Sequence, residues 1–149
     1  MNVKEKLLQA CRLFAEEKVR NIQRSLNELN DSVGSDSKST AGDKHETGRA
    51  MLHIEQEQIG EQLKQAEELL KSVEKISIQK SSPKIVLGSL VKTNRAAFFI
   101  AVSIGKIIID KSDYYALSPQ APLAQKLMGL SKGDAFKFNG VEYKVDEVL

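Results

Sequence analysis

The stretch Ser39-Thr-Ala-Gly-Asp-Lys-His-Glu-Thr47 separates two long charged segments, each with apolar residues at helical spacing. Small and polar residues dominate its first half, and such residues end helices and form turns. Two segments of similar length on either side of one turn are typical of an antiparallel helical hairpin. Two carboxylates, Asp43 and Glu46, stand three residues apart beside Gly42. The stretch therefore predicts a hairpin whose tip carries an acidic pair.

The segment before the turn has the pattern of a helix that packs against another helix. No proline or glycine interrupts residues 3–32, so we expect a helix of about 30 residues, roughly 45 Å long. Two glycines and four Ser or Thr residues in 33–42 predict a loop after it. The apolar positions are Val3, Leu7, Leu8, Cys11, Phe14, Ala15, Val19, Ile22, Leu26, Leu29 and Val33.

The segment after the turn predicts a second helix from near Asp43 to near Lys75. Asp43 can act as its N-cap, and Glu46 then occupies the position that completes a capping box. Gly48 and Gly60 weaken such a helix by up to about 1 kcal/mol each, so packing must support it. Its apolar residues follow a heptad pattern, at Leu52, Ile59, Leu63, Ala66, Leu70 and Val73.

The last third of the chain changes in composition and in period. Seven of the eight aromatic residues follow residue 97, and strands are predicted over 89–94, 97–103, 106–110 and 114–118. A loop and short helix follow over 119–128, with Pro122 in the first turn and Gly129 after the last. Asn139-Gly140 between two alternating runs predicts a β-hairpin over 135–145.

These patterns predict an α+β fold with two parts. Residues 1–78 form the helical hairpin, with its tip near 34–47, and residues 79–84 form a linker. Residues 85–149 form a small, largely antiparallel sheet packed on one short helix. Matched arms within one chain favour an intramolecular hairpin, so we expect a monomer.

Composition limits the possible function. The net charge of +2 is too small to indicate nucleic-acid binding by itself. Cys11 is the only cysteine, which excludes an internal disulfide. Charged residues interrupt residues 1–20, unlike a signal peptide, and no apolar run approaches the roughly 20 residues that span a bilayer. We expect a cytoplasmic protein.

Few residues are suited to chemistry. The spacing of Asp43, His45 and Glu46 matches no zinc pattern, and Cys11 lies on the apolar side of the first helix, as a core residue would. Asp43 and Glu46 leave two interpretations open. They stabilise a helix N-terminus, or they project together from the tip as hard oxygen ligands that complete a Mg²⁺ site on a partner.

Motifs at the tip and in the last third resemble the bacterial Gre transcript-cleavage factors. The tip motif of that family reads roughly Gly-Asp-Leu-x-Glu-Asn, and Gly42-Asp-Lys-His-Glu-Thr47 matches it here. The family's Gly-Ser/Thr-x-Val stretch corresponds to Gly88-Ser-Leu-Val91. Its segment Ser-Pro-Ile-Ala-x-x-Leu-Ile-Gly-Lys-x-x-Gly-Asp corresponds to Ala121-Pro-Leu-Ala-Gln-Lys-Leu-Met-Gly-Leu-Ser-Lys-Gly-Asp134, which is the more specific match.

The resemblance implies a coiled-coil hairpin, an FKBP-like C-terminal domain and RNA polymerase as the partner. The globular domain would dock at the rim of the polymerase's secondary channel, and the hairpin would enter it. Asp43 and Glu46 would help to hold a Mg²⁺ shared with the polymerase, whose active site then hydrolyses the 3′ end of backtracked RNA. The chain itself would be an accessory factor without a stably bound cofactor. Gln120 and Pro122 fall where the family contacts the rim, or they form a plain turn and helix start.

The sequence departs from the family pattern around the acids. Thr47 replaces an Asn, Arg49-Ala50 replace Glu-Tyr, and the Arg before Gly-Asp is missing. Lys38, Lys44 and Arg49 are the nearby cations that could lie close to RNA. Because the replaced groups orient the acids and the RNA in the family, a polymerase-binding regulator or inhibitor without cleavage stimulation is the alternative function.

Two further classes of function remain open from the sequence. A peptidyl-prolyl isomerase would need a ring of aromatic side chains, whereas the aromatic residues here look like strand core positions. A structural module that dimerises through its helical arms would also show heptad patterns.

Overall fold

The computed structural model of the chain describes the backbone of residues 1–36 and 42–149. It describes the side chains of these residues other than 33, 35, 36 and 42–46. In this part of the chain, two long helices are followed by a six-stranded sheet with one short helix. The fold is therefore α+β, as the sequence predicts. None of the helices described is long and apolar enough to cross a membrane.

The helices and strands follow the predicted order. The helices are α1 (Val3–Asp36), α2 (Gly42–Glu74) and α3 (Pro122–Leu127). The strands are β1 (Leu90–Thr93), β2 (Ala97–Ile100), β3 (Gly105–Ile109), β4 (Ser112–Leu117), β5 (Ala135–Phe138) and β6 (Val141–Val148).

Helix α1 begins at a capping box that the sequence analysis missed. The Glu5 backbone N–H donates to the Asn2 side-chain oxygen at 2.9 Å, and the Asn2 N–H donates to the Glu5 carboxylate at 3.1 Å. The spacing Asn-x-x-Glu is the signal that could have revealed it. The bonds satisfy backbone donors that a helix start otherwise leaves unpaired.

Helix α1 is longer than predicted. It continues through Gly34 to Asp36, so the loop predicted over 33–42 is wrong at its start. A glycine costs a helix only about 1 kcal/mol, and an existing helix gains a backbone hydrogen bond for each residue it adds. Helix α2 begins at Gly42 and ends at Glu74, close to both predicted limits.

The predicted apolar seam is present on both helices, with one exception. Leu7, Cys11 and Ala15 of α1 are fully buried. In α2, Val73 is fully buried and Ala66 is almost fully buried. Further from these positions the seam is half-buried, at Val19, Ile22, Leu26, Leu29, Leu52, Ile59 and Leu63.

Phe14 is the exception on α1. Its side chain is 43% exposed, whereas the adjacent Ala15 is fully buried. One residue corresponds to about 100° around a helix, so only one of two neighbours faces the partner helix. The smaller residue, Ala15, lies in the seam, and Phe14 lies outside it.

The six strands form one sheet in the order β3-β4-β2-β1-β6-β5. Neighbouring strands are antiparallel except β2 and β4, which are parallel. The predicted strand over 97–103 ends at Ile100, because the Ile104 N–H donates to the Val102 carbonyl and turns the chain towards β3. At the other end of the sheet, Asn139 and Gly140 have positive φ, which confirms the predicted two-residue hairpin turn.

Alternation along the strands gives the sheet two different faces. One face carries a core cluster that includes Val91, Phe98, Ile100 and Val145 together with Ala124 and Leu127 of α3. The opposite face carries Leu90, Phe99 and Ala116, which are also buried. The sheet is therefore covered on both sides.

The chain divides into two compact units. The first comprises Met1–Phe14 and Lys71–Leu149, and the second comprises Ala15–Leu70. The first unit thus contains the sheet, α3 and the terminal parts of the two long helices. The second unit is the remaining part of the helical hairpin, which we call the arm.

Candidate functional site

The arm holds the predicted tip at the end of two paired helices. The Gln56 side-chain amide of α2 donates to the Asn30 side-chain oxygen of α1 at 2.6 Å, which links the helices directly. Both helices carry half-buried seam residues along the arm. The 34 residues of α1 correspond to a length of about 51 Å. A hairpin of this kind can present a few residues far from its base.

The acidic pair lies on the first turn of α2. The helix begins at Gly42, so Asp43 and Glu46 are both inside it, three residues apart. Residues at this spacing share one side of a helix, and negative charge is favoured near a helix N-terminus. Their side chains, and with them the predicted N-cap bonds, lie outside the described residues. The backbone therefore brings the two acids to one side of the arm end.

The three predicted basic residues are described to different extents. Lys38 lies outside the described residues, and so does the side chain of Lys44. Arg49 lies on α2, one turn beyond Glu46, and its side chain is half-buried.

The loop before α3 is the second predicted contact region. Gln120 and Pro122 are both exposed, and Pro122 is the first residue of α3, as predicted. The Gln120 N–H donates to the Ser118 hydroxyl oxygen at 3.1 Å, and that hydroxyl donates to the Gln120 side-chain oxygen at 2.5 Å. Both exposed side chains therefore project from a locally bonded turn.

The turn is held in place from both sides, which the sequence analysis did not foresee. The Ser118 N–H donates to the Ser103 hydroxyl at 2.9 Å, and the Gln125 amide donates to the Gln120 carbonyl at 3.2 Å. The end of α3 is tied down by the Gly129 N–H, which donates to the Ile85 carbonyl at 2.9 Å. A Ser hydroxyl that accepts a bond from the backbone N–H two residues later is a known turn pattern, so Ser118 is the local signal in the sequence.

Cys11 and the metal-ligating residue types of the described part of the chain offer no chemistry of their own. Burial raises the pKa of the Cys11 thiol to about 11, so it stays protonated near neutral pH and is a poor nucleophile. Among the described residues, no group of three His, Cys, Asp or Glu side chains could hold a metal ion. The side chains of Asp43, His45 and Glu46 lie outside the described residues, so the predicted cluster is not covered by this statement.

Four of the eight aromatic side chains form a row of ring contacts and not a ring. Tyr115 contacts Phe98 at a centroid distance of 6.2 Å, Phe98 contacts Tyr143 at 6.4 Å, and Tyr143 stacks on Phe136 at 5.2 Å. Phe98 is buried, and the other three rings are half-buried. The row runs across the face that α3 partly covers, so these residues belong mainly to the core. That arrangement gives no support to a prolyl isomerase pocket.

Comparison with known proteins gives a likeness in structure but none in sequence. No protein family and no curated protein matches the sequence. Among solved structures, the chain is similar to that of the transcription factor Gfh1, with 16% sequence identity and a TM-score of 0.39 over 93% of each chain.

Proposed function

We propose that this chain is a Gre-like transcription elongation factor that binds RNA polymerase at its secondary channel. The observation that carries the proposal is the position of Asp43 and Glu46 on the first turn of α2, at the end of a long helical arm. Negative charge also stabilises a helix N-terminus, so the proposal rests on this position together with the sequence motifs. The tip motif and the 121–134 segment, both quoted above, support the same proposal.

The acids would act on an active site that belongs to the polymerase. Two carboxylates are hard oxygen donors of the kind Mg²⁺ prefers, but two alone bind it weakly. Asp43 and Glu46 would therefore contribute oxygen ligands to a metal ion held mainly by the polymerase. A bound metal of this kind activates water for phosphodiester hydrolysis. In this proposal, the chain stimulates Mg²⁺-dependent cleavage of backtracked RNA.

A second candidate function is channel binding without cleavage. Thr47, Arg49 and Ala50 replace the family residues that orient the acids and the RNA. The half-buried Arg49 side chain is also less available to a partner than an exposed one would be. Such a factor would occupy the channel and inhibit or regulate the polymerase.

The deciding experiment adds the full chain to backtracked elongation complexes with Mg²⁺ and follows the release of short RNA products. We expect cleavage with the native chain and its loss in the Asp43→Asn/Glu46→Gln double variant. Glu55→Gln/Glu57→Gln, at two exposed positions further along α2, is the matched control and should cleave normally. Equal cleavage by both double variants would exclude a role for the tip acids.

Binding is measured separately so that the two candidate functions can be told apart. The tip variant should bind the polymerase as the native chain does, whereas Gln120→Ala/Pro122→Ala should bind more weakly. Lys137→Ala on β5 is the exposed control. Native binding without cleavage would favour the regulator, and the absence of any binding would refute both candidates.

A further inference from the structure

Strand β3 forms an open edge of the sheet within the first compact unit. It pairs only with β4 and ends the strand order on that side. Its last three residues, Ile107 to Ile109, carry no charge, and Ile108 is 63% exposed. Edge strands are usually protected from pairing by charge, proline or a bulge. The opposite edge, β5, has the exposed Lys137 in its centre, whereas the exposed lysine of β3, Lys106, is the second residue of the strand and leaves the three residues after it without a charge.

The free backbone groups of β3 point outward at defined positions. Asp110 and Lys111 have φ values of 49° and 68°, which form a two-residue turn, and Ile109 pairs with Ser112 beside it. The pair that closes such a turn exchanges both backbone hydrogen bonds, and bonding alternates along an antiparallel ladder. Lys106 and Ile108 therefore direct their N–H and C=O groups away from β4.

The sequence of this edge is complementary to itself. If a second copy pairs antiparallel with Ile108 opposite Ile108, Ile107 stands beside Ile109, and Lys106 comes close to Asp110, the first residue of the turn after β3. The same contacts recur on the other side of a two-fold axis, as an isologous interface requires. A one-residue shift removes the charge pairing, so one register is favoured.

The two charged groups remain accessible despite their partners within the chain. Lys106 lies 3.3 Å from Asp113, with both side chains 49% exposed. Asp110 lies 2.9 Å from Lys6, and its side chain is 72% exposed. Exposed pairs of this kind are weak and can share a further charge.

An apolar cleft lies directly beside the edge. It measures about 430 Å³, and its lining combines the apolar Ala10, Leu13, Ile108 and Ile109 with the polar Lys6, Gln9 and Asp110. Leu13 is 52% exposed, although it is large and apolar. A strand added to β3 would bring its own isoleucines to this cleft, so the added copy would bury apolar surface on both chains.

We propose that two copies of this chain associate through their β3 edges, in antiparallel register about Ile108. The strand has five residues, far less contact than the roughly 800 Å² per partner of a standard interface. The dimer is therefore weak, and the chain is a monomer when dilute. This proposal uses none of the residues of the proposed transcription function and can fail independently of it.

Sedimentation equilibrium of the full chain tests the association. We expect the average mass to rise from 16.5 kDa towards twice that value between about 5 and 500 µM, the range of a weak protein interface. The amide protons of Lys106 and Ile108 should exchange more slowly as the concentration rises, because only pairing gives them acceptors. A constant mass of one chain over the whole range would overturn the proposal.

Two matched variants locate the contact. Ile108→Lys places two like charges at the two-fold axis and should weaken association at least about tenfold. Ile54→Lys changes an isoleucine of α2 that is 54% exposed and should leave association unchanged. The reverse result, with Ile54→Lys disruptive and Ile108→Lys neutral, would assign the dimer to the helical arms and overturn the proposal. Circular dichroism checks that both variants fold.

Discussion

At the scale of single residues, Gly88 shows how one position can be dictated by its neighbours. Its φ is +92°, and a Cβ there would overlap the Ser77 carbonyl oxygen. Its N–H donates to the Ile100 carbonyl at 2.7 Å, so the backbone cannot move away without losing that bond. The Gly that begins the Gly88–Val91 motif therefore has a structural reason, separate from any function of the family it resembles.

Gly88→Ala should lower the free energy of unfolding by about 2–4 kcal/mol, because it adds left-handed strain and a clash with backbone. Gly105→Ala is the matched control: its φ is +87°, but a Cβ there meets no atom within 4 Å. That variant should lose only the strain, about 1 kcal/mol. Urea denaturation measures both values. Equal losses would show that the contact with Ser77 relaxes at no cost.

At the scale of elements, the arm has small residues at its fully or almost fully buried positions on both long helices. Ala15 and Ala66 are 0% and 1% exposed, and both belong to the arm. The heptad pattern identified these positions as apolar, since the period alone requires it. The pattern could not show that Phe14 would be left exposed. Successive residues are about 100° apart around a helix, so Phe14 and Ala15 cannot both face the seam, and packing decides which of them does.

Ala66→Leu should destabilise the arm by about 1–3 kcal/mol, because three extra carbons must fit where two helices meet. Ala50→Leu on the same helix is exposed and should change stability little, since the two residues have similar helix propensities. Thermal or urea unfolding followed by circular dichroism at a helix wavelength gives both values. A neutral Ala66→Leu would mean that the helices have room between them at this position.

At the scale of the whole molecule, the first compact unit joins distant parts of the sequence. Met1–Phe14 belongs to the same unit as Lys71–Leu149. Lys6 binds Asp110 across 104 residues, and Leu7 and Cys11 are fully buried. The first turns of α1 and the last turn of α2 belong to this unit. Their apolar side chains are available to cover the sheet face that carries Leu90, Phe99 and Ala116.

A fragment of residues 79–149 should therefore be much less stable than the sheet in the full chain. It loses the buried Leu7, Val73 and Ile76, each worth about 1.5–3 kcal/mol of apolar burial. We expect fast amide exchange in β1 and β2 and binding of a hydrophobic dye. A chain in which a flexible linker replaces residues 15–70 keeps the whole unit and should retain slow exchange. Native-like exchange in the short fragment would show that the sheet needs no helical cover.

The sequence by itself determined the order of elements, because local periodicity and turn chemistry act over a few residues. It predicted the two long helices, the short helix at Pro122 and the Asn139-Gly140 turn, and it placed Asp43 and Glu46 near the start of α2. Their role at a polymerase stays a prediction. The tertiary structure decided that α1 runs through Gly34, that the start of α1 shares a unit with the sheet, and that β3 is an open edge. The first of these features reflects the small cost of one glycine against continued helix bonding. The other two depend on contacts between residues far apart in the chain, whose balance of burial and entropy no local pattern records.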